Sequence, residues 1–137
     1  MTLGIVKPDG VNRSLTGEII KRIEAQGLRL IAVKMLRLQI NEAEQFYAVH
    51  RKRPFFSSLT TYMASGVIVP MVLEGNGAIK RFRDLMGATD PKKAAPGTIR
   101  SELGVSIEQN TVHGSDSPES AISEISFFFN HLEIVKR

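Results

Sequence analysis

The sequence predicts an α+β sandwich, with helices covering one face of a small, mostly antiparallel sheet. Three observations lead there. Short apolar runs of strand length alternate with segments whose apolar residues recur at helical spacing, in the order β-α-β-α-β-α-β. The chain has 137 residues, 42% of them hydrophobic and 23% charged, a size that holds a core without disulfides or a structural metal. No internal repeat, low-complexity tract or second core is visible, so one domain is expected over residues 1–137.

Thr2 to Val6 reads as a short buried strand, ended by Lys7-Pro8-Asp9-Gly10 as a turn. Gly17 to Gln26 places Ile19, Ile20 and Ile23 on one helical face, with Gly27 as C-cap. Leu28 to Leu38 reads as one alternating strand, and Asn41 with Glu44 as a capping box opening the next helix. Arg51-Lys52-Arg53-Pro54 then breaks the chain before a short helix over Phe55 to Met63. Val67 to Leu73 is a strand whose Pro70 argues for an edge or a bulge. Gly77 to Met86 is helical through Ile79, Phe82, Leu85 and Met86. The Gly87 to Arg100 loop is long enough to imply a function, and a helical piece follows around Ile99 to Leu103. Val112 leads a last strand into a helix that runs to about Phe129, with Ser117 as N-cap and Pro118 at its first position.

Composition narrows the function classes. The absence of cysteine excludes a thiol nucleophile, a disulfide framework and any zinc site built on sulfur. No apolar run approaches the roughly 20 residues needed to span a bilayer, and the N-terminus lacks the pattern of a signal peptide. No membrane partner and a cytoplasmic location are therefore expected. A net charge of +4 favours anionic partners, among which charge alone does not choose.

The informative chemistry centres on His113. It closes a strand, precedes Gly114, and meets two hydroxyls and a carboxylate before a helix begins. The glycine permits a tight turn and close approach of substrate, and the coming helix N-terminus suits phosphate. Glu124 lies about two turns into that helix, on one face with Ser120. There it can bind one imidazole nitrogen and leave the other as a nucleophile. Lys7, Arg83 and Arg100 are scattered in sequence, yet beside Thr89 they could converge to neutralise a triphosphate. There is no G-x-x-x-x-G-K-[ST] and no G-x-G-x-x-G. Asp9, Asp84, Asp90 and Asp116 have no metal-ligand spacing, so no protein metal site is expected. Magnesium would arrive on nucleotide phosphates. His50 and His131 lack such a setting and read as exposed.

Asn110-Thr111-Val112-His113-Gly114-Ser115-Asp116-Ser117 resembles the signature of nucleoside diphosphate kinases. IVKPDGV, GEIIKRIE, RPFF, GATDP and PGTIR agree with that family in order, across essentially the whole chain. The resemblance departs at Ser14, where the family often has glycine, and at the short ends. It implies a ferredoxin-like fold, with a four-stranded antiparallel sheet and helices packed on it. It further implies transfer of a γ-phosphoryl group from ATP or another nucleoside triphosphate to a nucleoside diphosphate, by a ping-pong mechanism through phosphohistidine on His113. Lys7, Arg83, Thr89 and Arg100 carry over as phosphate-binding positions, and Phe55 as the aromatic under the base. Asn110 and Lys7 carry over as ribose contacts. Tyr47, Ser115 and Glu124 would hold Lys7 and His113 in place. Mg²⁺ is the implied cofactor, and a homo-oligomer is expected, a tetramer or hexamer built from dimers.

Two other classes remain open on the residues alone. The basic charge and element order also fit an RNA-recognition module, although the interleaved strand aromatics of such modules are missing and nucleic acid is not expected as a partner. A histidine phosphatase or mutase would use the same nucleophile and hydrolyse or return the phosphate.

Overall fold

The computed structural model describes all residues, 1–137. Five strands form one antiparallel sheet: β1 (Thr2–Val6), β2 (Arg29–Val33), β3 (Leu36–Arg37), β4 (Val67–Glu74) and β5 (Val112–Gly114). Seven helices connect and cover it: α1 (Pro8–Asn12), α2 (Thr16–Ala25), α3 (Ile40–Phe46), α4 (Phe56–Met63), α5 (Ala78–Met86), α6 (Ile99–Leu103) and α7 (Pro118–Phe128). The strand order is β2-β4-β1-β5, with the short β3 pairing with β4 beyond the end of β2. Both β1 and β2 run antiparallel to β4, so each helical crossover skips a strand, giving the split βαβ arrangement of a ferredoxin-like fold.

Helices cover both faces of the sheet rather than one. Leu3, Ile5, Ile68 and Val72 pack against Ala43, Met63, Ala121, Ile125 and Phe128 of α3, α4 and α7. On the opposite face, Val6, Val69, Met71, Leu73 and Val112 meet Ile19, Ile23, Phe82, Met86 and Ile99 of α2, α5 and α6. The physical signal is the unbroken apolar run of β4: a strand buried on both sides has no polar face to alternate with.

Pro70 lies in the interior of the sheet, against the edge position it suggests. β4 has β1 on one side and β2 with β3 on the other. The Pro70 carbonyl faces the second side, where it accepts from the Lys34 amide at 3.2 Å. A residue's N–H and C=O point the same way in an antiparallel strand, so the donor that proline lacks would fall in the gap between β2 and β3. That gap also splits the single strand expected over residues 28–38. A register shift between Leu30 and Ala32 lets Ile31 and Ala32 both be buried, which breaks the alternation.

Two local expectations shift. Pro8 starts a helix instead of a turn, its fixed φ suiting the first helical position, and the helix buries Pro8, Asp9 and Gly10. The capping box that opens α3 is Gln39 with Glu42, two residues before Asn41 and Glu44. Ser117 does cap α7, its hydroxyl accepting from the Ser120 amide. The C-terminal tail lies along β2, where the Val135 amide donates to Ile31 at 2.9 Å. No helix is long and apolar enough to cross a membrane.

Candidate active site

His113 sits in the middle of β5, paired with Ile5 of β1, and is half-buried. Its Nε2 lies 2.8 Å from Glu124 Oε1, reached from the second turn of α7. The same oxygen accepts from Ser115 Oγ at 2.9 Å, and the Leu3 amide donates to that hydroxyl at 3.2 Å. A carboxylate oxygen only accepts, so Nε2 carries a proton, and whenever the ring is neutral the free lone pair is on Nδ1. Phe46 and Tyr47 meet the imidazole edge-on, at 5.5 and 6.2 Å between ring centres.

Gly114 has a different reason from the tight turn the sequence suggests. A Cβ there would come within 2.6 Å of Met86 Cε and 2.9 Å of the Phe82 ring. The glycine therefore lets β5 lie close on α5.

Two guanidinium groups flank the histidine along the outer side of β5. Arg100 Nη2 donates to the Val112 carbonyl at 2.8 Å and its Nη1 to the Gly87 carbonyl at 3.0 Å. Arg83 reaches the Gly114 carbonyl more loosely, at 3.5 Å. Arg100 is only 8% exposed, and its Nε is buried with no hydrogen-bond partner. Burial, with the charge of Arg83 added, lowers its pKa to about 10. Arg83 itself is exposed, on the outward side of α5.

Lys7 follows β1 and is 6% exposed, its amide donating to the Thr111 carbonyl at 2.9 Å. Its Nζ donates to the Glu108 carbonyl at 2.7 Å and to Asn110 Oδ1 at 2.9 Å. Burial, then the neighbouring Arg100 charge, lowers the ammonium pKa from 10.5 to about 8. Asn110 is 2% exposed and spans the site, its Nδ2 donating to the Thr89 carbonyl at 3.0 Å. Thr89 is exposed on the loop after α5. Tyr47 is placed against His113 and not against Lys7, whose side-chain acceptors are Glu108 and Asn110. Phe55, just before α4, is 47% exposed. His50, read as exposed, is half-buried with its ring against both Tyr47 and Phe55, at 6.4 and 5.4 Å.

Lys7, Arg83, Arg100, Thr89, Asn110, Ser115 and Glu124 are thus linked to one another or to the backbone beside His113. Phe55 connects only through the rings of His50 and Tyr47. Three further residues join the site without a motif to mark them: Asp9, Tyr62 and Glu108. Asp9 is buried, accepting from the Tyr62 hydroxyl and from Thr111 Oγ1 at 3.2 Å. Burial and the Asp9 bond push Tyr62 well above the usual phenol range. The Lys7 ammonium stands 5.6 Å over the Tyr62 ring. The one signal for this group in the sequence is a carboxylate directly after Lys7-Pro8.

Comparison with known proteins gives the setting. The family model described as nucleoside diphosphate kinase matches residues 1–134. A nucleoside diphosphate kinase of Desulfosudis oleivorans is 59% identical over 136 residues, covering 99% of this chain and 98% of the relative. The Aquifex aeolicus nucleoside diphosphate kinase structure superposes with a TM-score of 0.96 at 47% identity, covering 98% of this chain and 97% of that one. A halophilic nucleoside diphosphate kinase from Halobacterium salinarum, solved in complex with CDP, gives 0.96 at 42% identity, over 99% and 91% of the two chains. A ferredoxin-like domain with relatives this close is a phosphotransferase. Within that class, the chain belongs to the nucleoside diphosphate kinase family.

Proposed function

We propose that the protein transfers the γ-phosphoryl group of ATP, or of another nucleoside triphosphate, to a nucleoside diphosphate in two steps. Residues 1–137 act as one domain. In the first step the Nδ1 lone pair of His113 forms a bond to the γ-phosphorus. The bond from that phosphorus to the β,γ-bridging oxygen breaks, and a nucleoside diphosphate leaves. In the second, a terminal β-phosphate oxygen of another diphosphate takes the phosphoryl group and neutral imidazole returns. One pocket serves donor and acceptor in turn, as a covalent intermediate allows.

The observation that carries this reading is Glu124 Oε1 at 2.8 Å from His113 Nε2, which leaves Nδ1 as the free nucleophile. Arg83, Arg100 and Lys7 supply positive charge around the ring. Phosphoryl transfer depends chiefly on positioning and on charge spread over the equatorial oxygens. Arg100 is held beside the ring by its bonds to the Val112 and Gly87 carbonyls. Thr89 would add a hydroxyl, and Asn110 with Lys7 would reach the ribose.

The donors around His113 are ammonium, guanidinium and amide groups, which suit phosphate oxygens rather than a metal ion. Mg²⁺ is therefore assigned to the nucleotide, as part of the substrate, where it neutralises charge on the transferring phosphate while keeping most of its waters. Stacking on Phe55 would use the π-face that every base has, worth about 1–3 kcal/mol by analogy with single-strand binding. Purine and pyrimidine diphosphates should both be accepted, in keeping with the Halobacterium relative's complex with CDP.

A homo-oligomer, a tetramer or hexamer of dimers, belongs to the same reading. Its support is the exposed apolar set Val33, Met35 and Ile40 around β2 and β3. A cytoplasmic location follows from the same use of the nucleotide pool. Steady-state kinetics with ATP and GDP varied together test the mechanism. Parallel double-reciprocal lines are expected; intersecting lines would mean a ternary complex and no phosphoenzyme.

A further inference from the structure

Thr111 has φ +77°, and Ser14 is the only other non-glycine residue with positive φ. A β-branched residue in that region is strained, typically by about 1–3 kcal/mol, and persists only where its surroundings hold it. Two groups hold Thr111. The Lys7 amide donates to its carbonyl at 2.9 Å, and its hydroxyl donates to the buried Asp9 Oδ2 at 3.2 Å. Asp9 Oδ1 meanwhile accepts from the Tyr62 hydroxyl, and Tyr62 Oη accepts from the Asp9 amide at 2.9 Å. Asp9 therefore ties the start of α1 to α4 and to the turn before β5. Immediately before that turn is Asn110, bonded to Lys7 and to the Thr89 loop. Two residues after it is His113.

We infer that Asp9 is a positioning residue that acts through Thr111: its carboxylate holds the left-handed turn that presents Asn110 and Lys7 on one side and His113 on the other. Asp9 touches neither His113 nor the groups assigned to the phosphate. Its effect on geometry reaches the nucleotide through the direction of the Asn110 side chain and the pairing of Lys7 with it, and its negative charge also acts directly on the Lys7 ammonium. Released from Asp9, Thr111 relaxes toward negative φ, which rotates the peptide between Asn110 and Thr111 and uncouples Lys7 Nζ from Asn110 Oδ1. The inference rests on the proposed function, since it takes Lys7, Asn110 and His113 as the groups to be aligned.

The test is a double-mutant cycle on the full chain, with wild type assayed alongside for transfer from ATP to GDP. Asp9→Ala and Thr111→Val are each expected to lower kcat/KM by about tenfold or more, a misplacement effect. Most of the change should appear in KM for the diphosphate, while far-UV circular dichroism stays that of wild type. The double variant should lose no more than the worse single one, because the bond between Asp9 and Thr111 is already gone in each, and Asp9→Ala alone adds the loss of the Tyr62 bond. Thr111→Gly provides the rescue, since glycine adopts φ +77° without support, and it should keep kcat/KM within about threefold of wild type. Effects of Asp9→Ala and Thr111→Val that multiply, or a Thr111→Gly loss as deep as that of Thr111→Val, would overturn the inference. Wild type that transfers no phosphate would instead sink the functional reading beneath it.

Discussion

Glu124 Oε1 receives both His113 Nε2 and Ser115 Oγ, so a single atom fixes the plane of the imidazole and which nitrogen carries the proton. A hydrogen bond to a charged group is worth about 1.5–3 kcal/mol, so Glu124→Ala should lower kcat by about 10- to 150-fold. Ser115→Ala should cost less, because the carboxylate keeps its bond to the ring. Stopped-flow measurement of enzyme phosphorylation reads both, and equal rates for Glu124→Ala and wild type would remove Glu124 from the site. Lys7 gives a pH signature. Its folded-state pKa, about 8, lies below the ordinary 10.5, so between those values the unfolded chain binds more protons. Stability should therefore rise as pH goes from about 8 toward 10.5, by up to about 3 kcal/mol, while below pH 8 the full penalty of the buried charge is present. Nucleotide capture should move the opposite way, kcat/KM falling above about pH 8 as the free enzyme loses the Lys7 charge. Urea titrations across that range with wild type and Lys7→Met measure the first effect, and the slope should flatten in the variant.

Elements place these residues through their ends. Gly87, just past α5, has φ +86°, and a Cβ there would stand 2.4 Å from Thr98 Oγ1, the hydroxyl that caps α6. Its carbonyl also accepts from Arg100. Gly87→Ala should therefore loosen α6 and Arg100 together, lowering Tm and raising KM for the nucleotide; a change in Tm alone would separate Arg100 from phosphate binding. Ser117→Ala removes the cap of α7 at about 1 kcal/mol, visible as a lowered Tm, with little change in KM because Glu124 lies beyond the first turn. Most elements were legible because apolar spacing and caps are local signals, as at α5 and α7. Local signals misled where a distant partner decides. Lys7-Pro8-Asp9-Gly10 has turn chemistry, yet tertiary burial of Pro8, Asp9 and Gly10 turns the same residues into α1. Pro70 reads as an edge residue, and only the break between β2 and β3 explains its central place.

For the molecule as a whole, two cores pinned to one sheet bring residues from both ends of the chain to β5. His113 was legible because its motif is contiguous, as were Ser115 and Glu124 on the strand and helix that follow. The link from Lys7 to Asn110 spans 103 positions and that from Tyr62 to Asp9 spans 53, distances over which no spacing rule operates. The exposed Val33, Met35 and Ile40 bear on assembly, and sedimentation velocity should show a species of at least four chains. A monomer would leave those side chains without the cover proposed for them. The central claim is tested most directly by incubating the protein with ATP labelled in the γ-phosphate, removing free nucleotide, and then adding GDP. The account predicts acid-labile, alkali-stable label on His113 that moves to GDP and is absent from His113→Ala. A His113→Ala variant that transfers phosphate at the wild-type rate would contradict it.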